Sequence, residues 1–291
     1  MAVLKNKTLN DFFIYWDGVI ASWLEGKFAF EQQLSQDASK QELEIQKQEQ
    51  ILGQEWLNLS RNHMPEPYWG NPEKCSIVIA NYNPGGGADR NRHAYFKCAD
   101  WEHTFINKVK KSNYSDVASG FPIIDEPDLN KPIPAWWEDY GGSKWWRKKH
   151  DWLKNSIINN KELHRLLKNN NNTTEIKECG NKKPFAIEFC GWHSKSWPGG
   201  ACKKLYKYKE AIIDKYFIDV LVEAVKCSDL KIGICTGKQL YDLLSKCAEK
   251  TQDQELESQK YNLHLLELKG VKILSVWGET DKRDRFPDLT K

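Results

Sequence analysis

The most distinctive chemical feature of the sequence is an asparagine followed by a proline and three glycines, directly after an apolar segment. Successive glycines let backbone N–H groups approach an anion or a carbonyl oxygen without interference from Cβ atoms. The alternative is a plain tight turn, because Asn-Pro-Gly forms one readily. Three glycines exceed what a turn needs, so the segment predicts a binding loop. Its candidate residues are Tyr82, Asn83, Pro84, Gly85 and Gly86.

A second group of reactive side chains, which begins at His193, follows another apolar segment. His193 can transfer a proton or donate a hydrogen bond to a substrate carbonyl, and Ser194 and Lys195 add a hydroxyl group and a cation. The alternative is a loop histidine that is bonded only to backbone groups. Glu188 lies within the preceding apolar segment, so a buried position for it would require a hydrogen-bonding partner. We treat Asn83 and His193 as the candidate catalytic residues.

Basic residues mixed with tryptophans form a third group, in the segment WWEDYGGSKWWRKKHDW. Cations that contact phosphates, beside aromatic rings that stack on bases, are typical of nucleic-acid binding. The alternative is a surface helix whose tryptophans pack on the core. A second basic cluster lies near the carboxyl terminus, where the alternative is a solvated charged tail. The candidate nucleic-acid contacts are Lys144, Arg147, Lys148, Lys149, Arg283 and Arg285.

Several other kinds of site are excluded by the spacing of their residues. The segment ICTGKQ resembles the end of a phosphate-binding loop, but Ile232 replaces the first glycine of that motif and Gln239 replaces its Ser or Thr. Thr236 is instead expected to cap the helix that follows. The glycines also lack the spacing of a dinucleotide-binding motif, and no two of the eight cysteines form a C-x-x-C pair. The sequence therefore predicts neither a metal nor a cofactor.

Four short apolar segments predict the strands that would position these side chains. They cover residues 75–83, 184–192, 230–237 and 271–278. Segments that are apolar on both faces are typical of buried parallel strands. Helices are predicted between them, because apolar residues recur at helical spacing from Leu205 to Val225 and again over residues 238–250. This alternation predicts an α/β fold with three layers, α/β/α, around a four-stranded parallel sheet.

Helices are also expected at the start of the chain. Residues 8 to 62 carry helical patterns, first with a strong apolar stripe and then with sparse apolar positions among Gln, Glu and Lys. The second part is interpreted as a surface helix or one arm of a helical hairpin, and a separate regulatory arm is the alternative. We predict an N-terminal helical segment (1–62) packed on a main domain (63–291), with a long insertion at about 96–180. Long insertions at the carboxyl edge of a parallel sheet commonly build a site or its lid.

Composition limits the cellular setting and the partners. Lys and Arg total 43 against 40 Asp and Glu, which gives a net charge of +3, so any basic patch must be local. Cysteines within apolar segments behave as small hydrophobic residues, which indicates a reducing, cytoplasmic setting. The apolar N-terminal segment is interrupted by Asp17 and is too short to span a bilayer, so no membrane association is expected. The sequence leaves the oligomeric state open.

Two of these segments together resemble the uracil-DNA glycosylase superfamily. PYWGNPEKCSIVIANYNPGGG is similar to its first motif, a strand followed by a G-I-N-P-G-like loop. FAIEFCGWHSKSW is similar to the second-strand region of divergent, uncharacterised members. The resemblance covers residues 67–95 and 184–197. The superfamily's final H-P-S-type motif has no counterpart, since the chain reads VWGETDKRDRFP at the last strand.

The resemblance implies a fold and a reaction. Members of the superfamily hold a four-stranded parallel sheet between helices, extrude a damaged base from DNA and hydrolyse its glycosidic bond. Carried over by position, Asn83 would orient the attacking water, while Pro84 and Gly85 would shape the base pocket. Three functions stay open: a DNA N-glycosylase, a non-catalytic module that binds a nucleobase or nucleic acid, and a scaffold whose N-terminal helices bind a partner. The expected partner of the first two is nucleic acid, foremost DNA.

Overall fold

The computed structural model describes residues 4–26, 64–81, 106–120, 184–191, 217–254 and 261–278, together with the single helical residues 46 and 50. The described helices are α1 (Lys7–Leu24), α2 (Tyr114–Gly120), α3 (Asp219–Cys227) and α4 (Lys238–Cys247), and residues 106–111 are also helical. The described strands are β1 (Tyr68–Trp69), β2 (Val78–Asn81), β3 (Phe185–Glu188), β4 (Ile232–Thr236), β5 (Lys250–Gln254), β6 (Tyr261–Leu268) and β7 (Val271–Gly278). None of these helices combines the length and the apolar character that crossing a bilayer requires.

The described strands form one mixed sheet, in the order β1-β3-β2-β4-β7-β6-β5. Within it β3, β2, β4 and β7 pair in parallel, whereas β1, β6 and β5 pair antiparallel to their neighbours. The four predicted strands are present as β2, β3, β4 and β7, and the α/β class is confirmed. The predicted four-stranded parallel sheet is not the whole sheet, because antiparallel strands extend it on both sides to seven.

The antiparallel strands β5 and β6 lack the continuous apolar segments that predict the other long strands. β5 reads KTQDQ, and β6 mixes polar and apolar residues in YNLHLLEL. Antiparallel strands commonly show such mixed patterns, since they need not be apolar on both faces.

β6 and β7 are joined by a two-residue turn, in which Lys269 and Gly270 have φ angles of 46° and 78°. Positive φ at both positions is the requirement of a type I′ hairpin turn, whose twist matches that of the flanking strands.

The register of the strands distinguishes two faces of the sheet. We call face A the face that carries Gly233 of β4, and face B the face that carries its neighbour Ile234. A Cβ atom on Gly233 would lie 2.7 Å from Ile273 Cδ1 and 3.0 Å from Val225 Cγ2 of α3. The absence of a side chain at Gly233 therefore allows α3 to pack closely on face A.

Two further helices pack on face A. The Tyr241 ring of α4 lies 4.6 Å, centroid to centroid, from the ring of His264, which the register places on face A beside Ser275. The Phe13 ring of α1 stacks on Tyr68 at 4.2 Å, and the register of β1, β3 and β2 places Tyr68 on the same face. Face A is therefore covered by α1, α3 and α4.

α1 is held at its first turn and ends near a glycine. The Asn6 side chain accepts a hydrogen bond from the Leu9 backbone N–H at 3.2 Å, and its amide donates to Glu223 of α3 at 2.7 Å. The helix ends before Gly26, which has a φ of 77°. The helical pattern predicted for residues 8 to 62 is therefore not one continuous helix. The rest of that stretch lies outside the described residues, except at two helical positions.

The two predicted helices next to β4 are present in part. α3 covers the carboxyl end of the helix that was predicted from Leu205 to Val225, and the residues before 217 lie outside the described part of the chain. α4 covers most of the helix predicted over 238–250, but it ends at Cys247 because β5 begins at Lys250. The order strand, helix, strand, helix is therefore as predicted here.

Candidate functional site at the carboxyl edge of the parallel strands

Three polar residues lie side by side at the carboxyl ends of three neighbouring parallel strands. Glu188, Asn81 and Thr236 are the last residues of β3, β2 and β4. Asn81 pairs with Glu188, and Thr236 continues the register in which Ala80 lies opposite Cys235. All three residues therefore belong to face B. We call Glu188, Asn81 and Thr236 the polar row.

Two hydrogen bonds join the polar row into a chain. Asn81 Nδ2 donates to Glu188 Oε1 at 3.0 Å, and Thr236 Oγ1 donates to Asn81 Oδ1 at 3.0 Å. Asn81 and Glu188 are only 2% and 4% exposed, whereas Thr236 is partly exposed. Because only the nitrogen of the Asn81 amide can donate, its hydrogen bond to Glu188 Oε1 fixes the orientation of the amide. The Asn81 oxygen then faces Thr236 and accepts a hydrogen bond from its hydroxyl group.

The bond between Thr236 and Asn81 spans the point at which the strand order reverses. From β2 the chain passes to β3 on one side, and from β3 it crosses back over β2 to β4 on the other side. In open α/β sheets, ligands bind outside the carboxyl ends of the strands at such a topological switch point. The topology of the sheet therefore selects the edge that carries the polar row as the candidate binding site.

Packing beyond β3 holds this edge in place. The Phe189 backbone N–H donates to the Asn81 carbonyl at 2.8 Å, which continues the ladder past the polar row. The Phe189 ring packs edge-on against Phe217, with 5.0 Å between centroids. A Cβ atom on Gly191 would lie 2.7 Å from Trp16 Cη2, so α1 packs directly on the segment that leaves β3. The core therefore anchors the point from which the next loop begins.

The cysteine beside the polar row, Cys235, lacks the properties of a nucleophile. Cys235 precedes Thr236 in β4 and is fully buried on face A. Burial raises the pKa of its thiol to about 12, although the neighbouring Ser275 hydroxyl acts in the opposite direction. The thiolate is the nucleophilic form of cysteine, so Cys235 is unsuited to attack a substrate. Within the described ranges, no three His, Cys, Asp or Glu residues form a group that could hold a metal ion.

The residues predicted for the site lie outside the described residues. The glycine-containing loop begins one residue after Asn81, and the predicted His193 segment begins two residues after Gly191. The strands that lead into both loops end at the polar row, while the loop residues themselves remain predictions. The predicted residues outside the described part of the chain are Tyr82, Asn83, Pro84, Gly85, Gly86, Lys144, Arg147, Lys148, Lys149, His193, Ser194, Lys195, Arg283 and Arg285.

Two expectations for the strand ends have clear outcomes. The partner that a buried Glu188 requires is present, and it is Asn81. The prediction that Thr236 caps α4 is wrong: Gly237 occupies the cap position without a side-chain hydrogen bond, and the Thr236 hydroxyl bonds to Asn81. Thr236 is the last residue of β4 on face B, where its hydroxyl group reaches the buried amide oxygen of Asn81.

Sequence reasoning missed Asn81 as a site residue. It gave weight to Asn83 because of the glycines that follow. A signal was nevertheless present, since the strand sequences VIAN, FAIE and IGICT each end in a polar residue after apolar ones. Polar residues that recur at the same end of neighbouring buried strands must be hydrogen-bonded, which predicts that they meet.

Comparison with known proteins gives no match. No protein-family model matches the chain, and no curated protein or solved structure does so. The fold and the site together define an α/β protein with a hydrogen-bonded polar row at its topological switch point. A functional proposal therefore rests on these features and on the sequence motifs.

Proposed function

We propose that this chain is a three-layer α/β/α protein of the uracil-DNA glycosylase superfamily. It binds a nucleobase extruded from DNA at the carboxyl edge of β2, β3 and β4, and it hydrolyses the N-glycosidic bond of that base. The observation that carries the proposal is the polar row, because its hydrogen bond from Thr236 to Asn81 spans the topological switch point. A polar constellation at this point is what a ligand site in an open α/β sheet requires.

Burial on both faces of the sheet supports the three-layer arrangement. On face B, Ile79 and Ile234 are each 1% exposed and Leu274 is 0% exposed. The connections from β3 to β4 and from β4 to β7 run in the same direction across the sheet, and α3 and α4 lie on the same face, as right-handed crossovers require. The connection from β2 to β3 runs in the opposite direction, and its described helix α2 packs on α1 and on β1 at the edge of the sheet.

Two independent arguments select the same edge of the sheet. The topology selects the carboxyl ends of β2 and β4 from strand order alone. The sequence resemblance selects the loop that follows β2, because the segment similar to the superfamily's first motif contains β2 and ends in the glycines. Neither argument uses the information in the other, so their agreement supports a base-binding site at this edge.

The chemistry of glycosidic hydrolysis suits the residues of the predicted loop. The transition state resembles an oxocarbenium ion, and negative charge builds on the departing base. Backbone N–H groups of Gly85 and Gly86 would stabilise that charge at the base carbonyl oxygens. The Asn83 amide is too weak a base to deprotonate water, so it would orient the attacking water, and His193 would donate a hydrogen bond or a proton to the base.

Contact with the DNA backbone is assigned to the basic candidates of the insertion and the carboxyl-terminal segment. The net charge of the chain is only +3, so these clusters must act locally. Lysine and arginine contacts to phosphates make binding strongly dependent on salt concentration. The proposal therefore includes binding of oligonucleotides that weakens steeply as salt is added.

The direct test is release of a base from an oligonucleotide by the full-length chain. Single- and double-stranded oligonucleotides that contain uracil, hypoxanthine or another lesion are incubated with the protein, and strand cleavage at abasic sites is measured after alkali treatment. We expect release of at least one damaged base. Asn83→Ala should slow it by about 100-fold, the effect of removing one positioned polar group from such a site.

A matched control separates this role from general damage to the fold. Asn10→Ala makes the same chemical change within α1, away from the polar row, and should leave the release rate unchanged. Salt-sensitive binding without release of any base would contradict hydrolysis and support the non-catalytic binding module instead. Absence of both release and binding would overturn the assignment to nucleic acid.

A further inference from the structure

The exposed end of the polar row has a defined hydrogen-bonding character. Thr236 Oγ1 donates its only proton to Asn81 Oδ1, and the Asn81 amide is in turn held by Glu188. A hydroxyl oxygen has two acceptor lone pairs besides its donor. Since the donor is committed to a buried amide, a ligand that reaches Thr236 meets an acceptor.

We propose that Thr236 is a specificity-determining residue that accepts a hydrogen bond from a ring N–H group of the bound nucleobase. This inference rests on the proposed function and deepens it. Thr236 is partly exposed, ends β4 and lies across the switch point from Asn81, the last residue of β2. It is therefore the member of the polar row that a base at this edge would contact.

The proposal predicts which bases are favoured. Uracil and hypoxanthine carry a proton on the ring nitrogen beside their carbonyl group, whereas cytosine and adenine carry a lone pair on the corresponding nitrogen. A fixed acceptor bonds to the first pair of bases and repels the second. Sites that bury a committed hydrogen-bonding group discriminate strongly against ligands that cannot complement it.

Asn81 and Glu188 are positioning residues in this scheme. If the Asn81 amide turned round, its nitrogen would face Thr236 and the hydroxyl could rotate to donate to the ligand. The hydrogen bond from Asn81 Nδ2 to Glu188 Oε1 opposes this rotation, because a turned amide would present its oxygen to another acceptor. The two hydrogen bonds run in one direction, from Thr236 to Asn81 to Glu188, so they polarise one another and strengthen the Thr236 oxygen as an acceptor.

The test compares base preference rather than activity. Fluorescein-labelled single-stranded oligonucleotides carry uracil, cytosine, hypoxanthine or adenine at one position, with a 2′-fluoro sugar there to slow glycosidic cleavage. Dissociation constants are measured by fluorescence anisotropy with the full-length chain at fixed salt. In Thr236→Val, which removes the hydroxyl but keeps the branched shape, the uracil-over-cytosine and hypoxanthine-over-adenine affinity ratios should each fall by about tenfold.

Two further variants distinguish a direct contact between Thr236 and the base from a purely structural role of Thr236. Thr236→Ser keeps the hydroxyl and should retain both ratios, whereas Glu188→Leu should lower them through loss of amide orientation, with Thr236 itself intact. A purely structural role for Thr236 would weaken all four oligonucleotides equally and leave the ratios unchanged, and that result overturns the inference. If the wild type bound uracil no better than cytosine and hypoxanthine no better than adenine, the inference would also be overturned, while the base-binding site would stand. Failure of the wild type to bind any of the oligonucleotides would instead overturn the proposed function together with the inference.

Discussion

At the residue scale, the polar row is a hydrogen-bonded chain with two buried members, Asn81 and Glu188, and a partly exposed end at Thr236. Asn81 supplies a donor to Glu188 and an acceptor to Thr236, so it is the central residue of the chain. Buried polar groups are stable only when their hydrogen bonds are made, and a carboxylate is the most demanding of them. The row therefore ties the carboxyl ends of β3, β2 and β4 together as well as shaping the proposed site.

Removing the central residue should destabilise the protein. Asn81→Ala takes away one donor of a buried carboxylate and the acceptor of the Thr236 hydroxyl, so we expect the free energy of unfolding to fall by about 2 kcal/mol. Glu188→Gln keeps an acceptor for Asn81 and should therefore lower the free energy of unfolding by less. Urea denaturation with a spectroscopic readout measures both. A loss in Asn81→Ala no larger than in the α1 control Asn10→Ala would contradict the energetic role of the row.

A half-buried carboxyl group joins α1 to α2. Asp17 accepts hydrogen bonds from the Ser115 backbone N–H at 2.7 Å and from its hydroxyl group at 2.6 Å. Burial raises the pKa of the Asp17 carboxyl above its ordinary value, and the charge of Asp116 acts in the same direction, whereas the hydrogen bonds from Ser115 lower it. The folded protein therefore holds this proton more tightly than the unfolded chain does.

The raised pKa of Asp17 predicts the sign of a pH effect. Its stabilising contribution is fully present below the unfolded pKa of about 3.9 and is lost as the pH rises through the folded pKa. In Asp17→Asn the amide can accept from the Ser115 N–H and donate to its hydroxyl without titrating. The free energy of unfolding of the wild type should therefore fall, relative to Asp17→Asn, as the pH rises from about 4 through the raised pKa of Asp17. Urea denaturation across this range measures the difference, and a relative rise would contradict the prediction.

At the element scale, the hairpin of β6 and β7 depends on backbone conformation more than on side-chain packing at its turn. Lys269 and Gly270 both have positive φ, and a Cβ atom on Gly270 would meet nothing within 4 Å. Any effect of substitution at Gly270 therefore reports on the left-handed backbone alone. Because β7 pairs with β4 and β6 pairs with β5, this turn sets the register of that side of the sheet.

Two substitutions at Gly270 test the requirement for positive φ. Gly270→Ala should lower the free energy of unfolding by about 1 kcal/mol, because an L-residue with a Cβ atom strains in this region. Gly270→Asn should cost less, since asparagine tolerates the left-handed conformation. Thermal and urea unfolding of the two variants give the comparison. Equal losses of unfolding free energy in the two variants would show that the loss does not arise from the positive φ of Gly270.

A strand can be predicted from the sequence when its environment in the fold requires a distinctive residue pattern. β2, β3, β4 and β7 are buried on both faces, so their apolar segments stand out. β5 and β6 do not read as continuous apolar runs, and β1 has only two residues, so no comparable pattern marks them. The polar row shows the same limit, because Glu188 was recognisable as a buried carboxylate but its partner across the sheet depends on strand order, which a single sequence does not encode locally.

At the scale of the whole molecule, one sheet edge collects the polar chemistry of several strands. The order β3-β2-β4 creates the switch point, α3 and α4 cover face A, and α1 packs against the segment that leaves β3. The loops that carry the predicted Asn83 and His193 follow strands that end at this edge. The proposed glycosylase site thus depends on topology for its location and on the loops for its reaction.

The most direct measurement of this claim is to locate the bound base on the full-length chain. Isoleucine δ1-methyl groups are isotope-labelled, and their NMR signals are followed as a uracil-containing oligonucleotide is added to saturation. Ile79 and Ile234 lie on face B, two residues before Asn81 and Thr236, so their signals should shift. Ile14, 48% exposed on α1, should not shift. Saturable binding that shifts Ile14 and leaves Ile79 and Ile234 unchanged would contradict a base-binding site at the carboxyl edge.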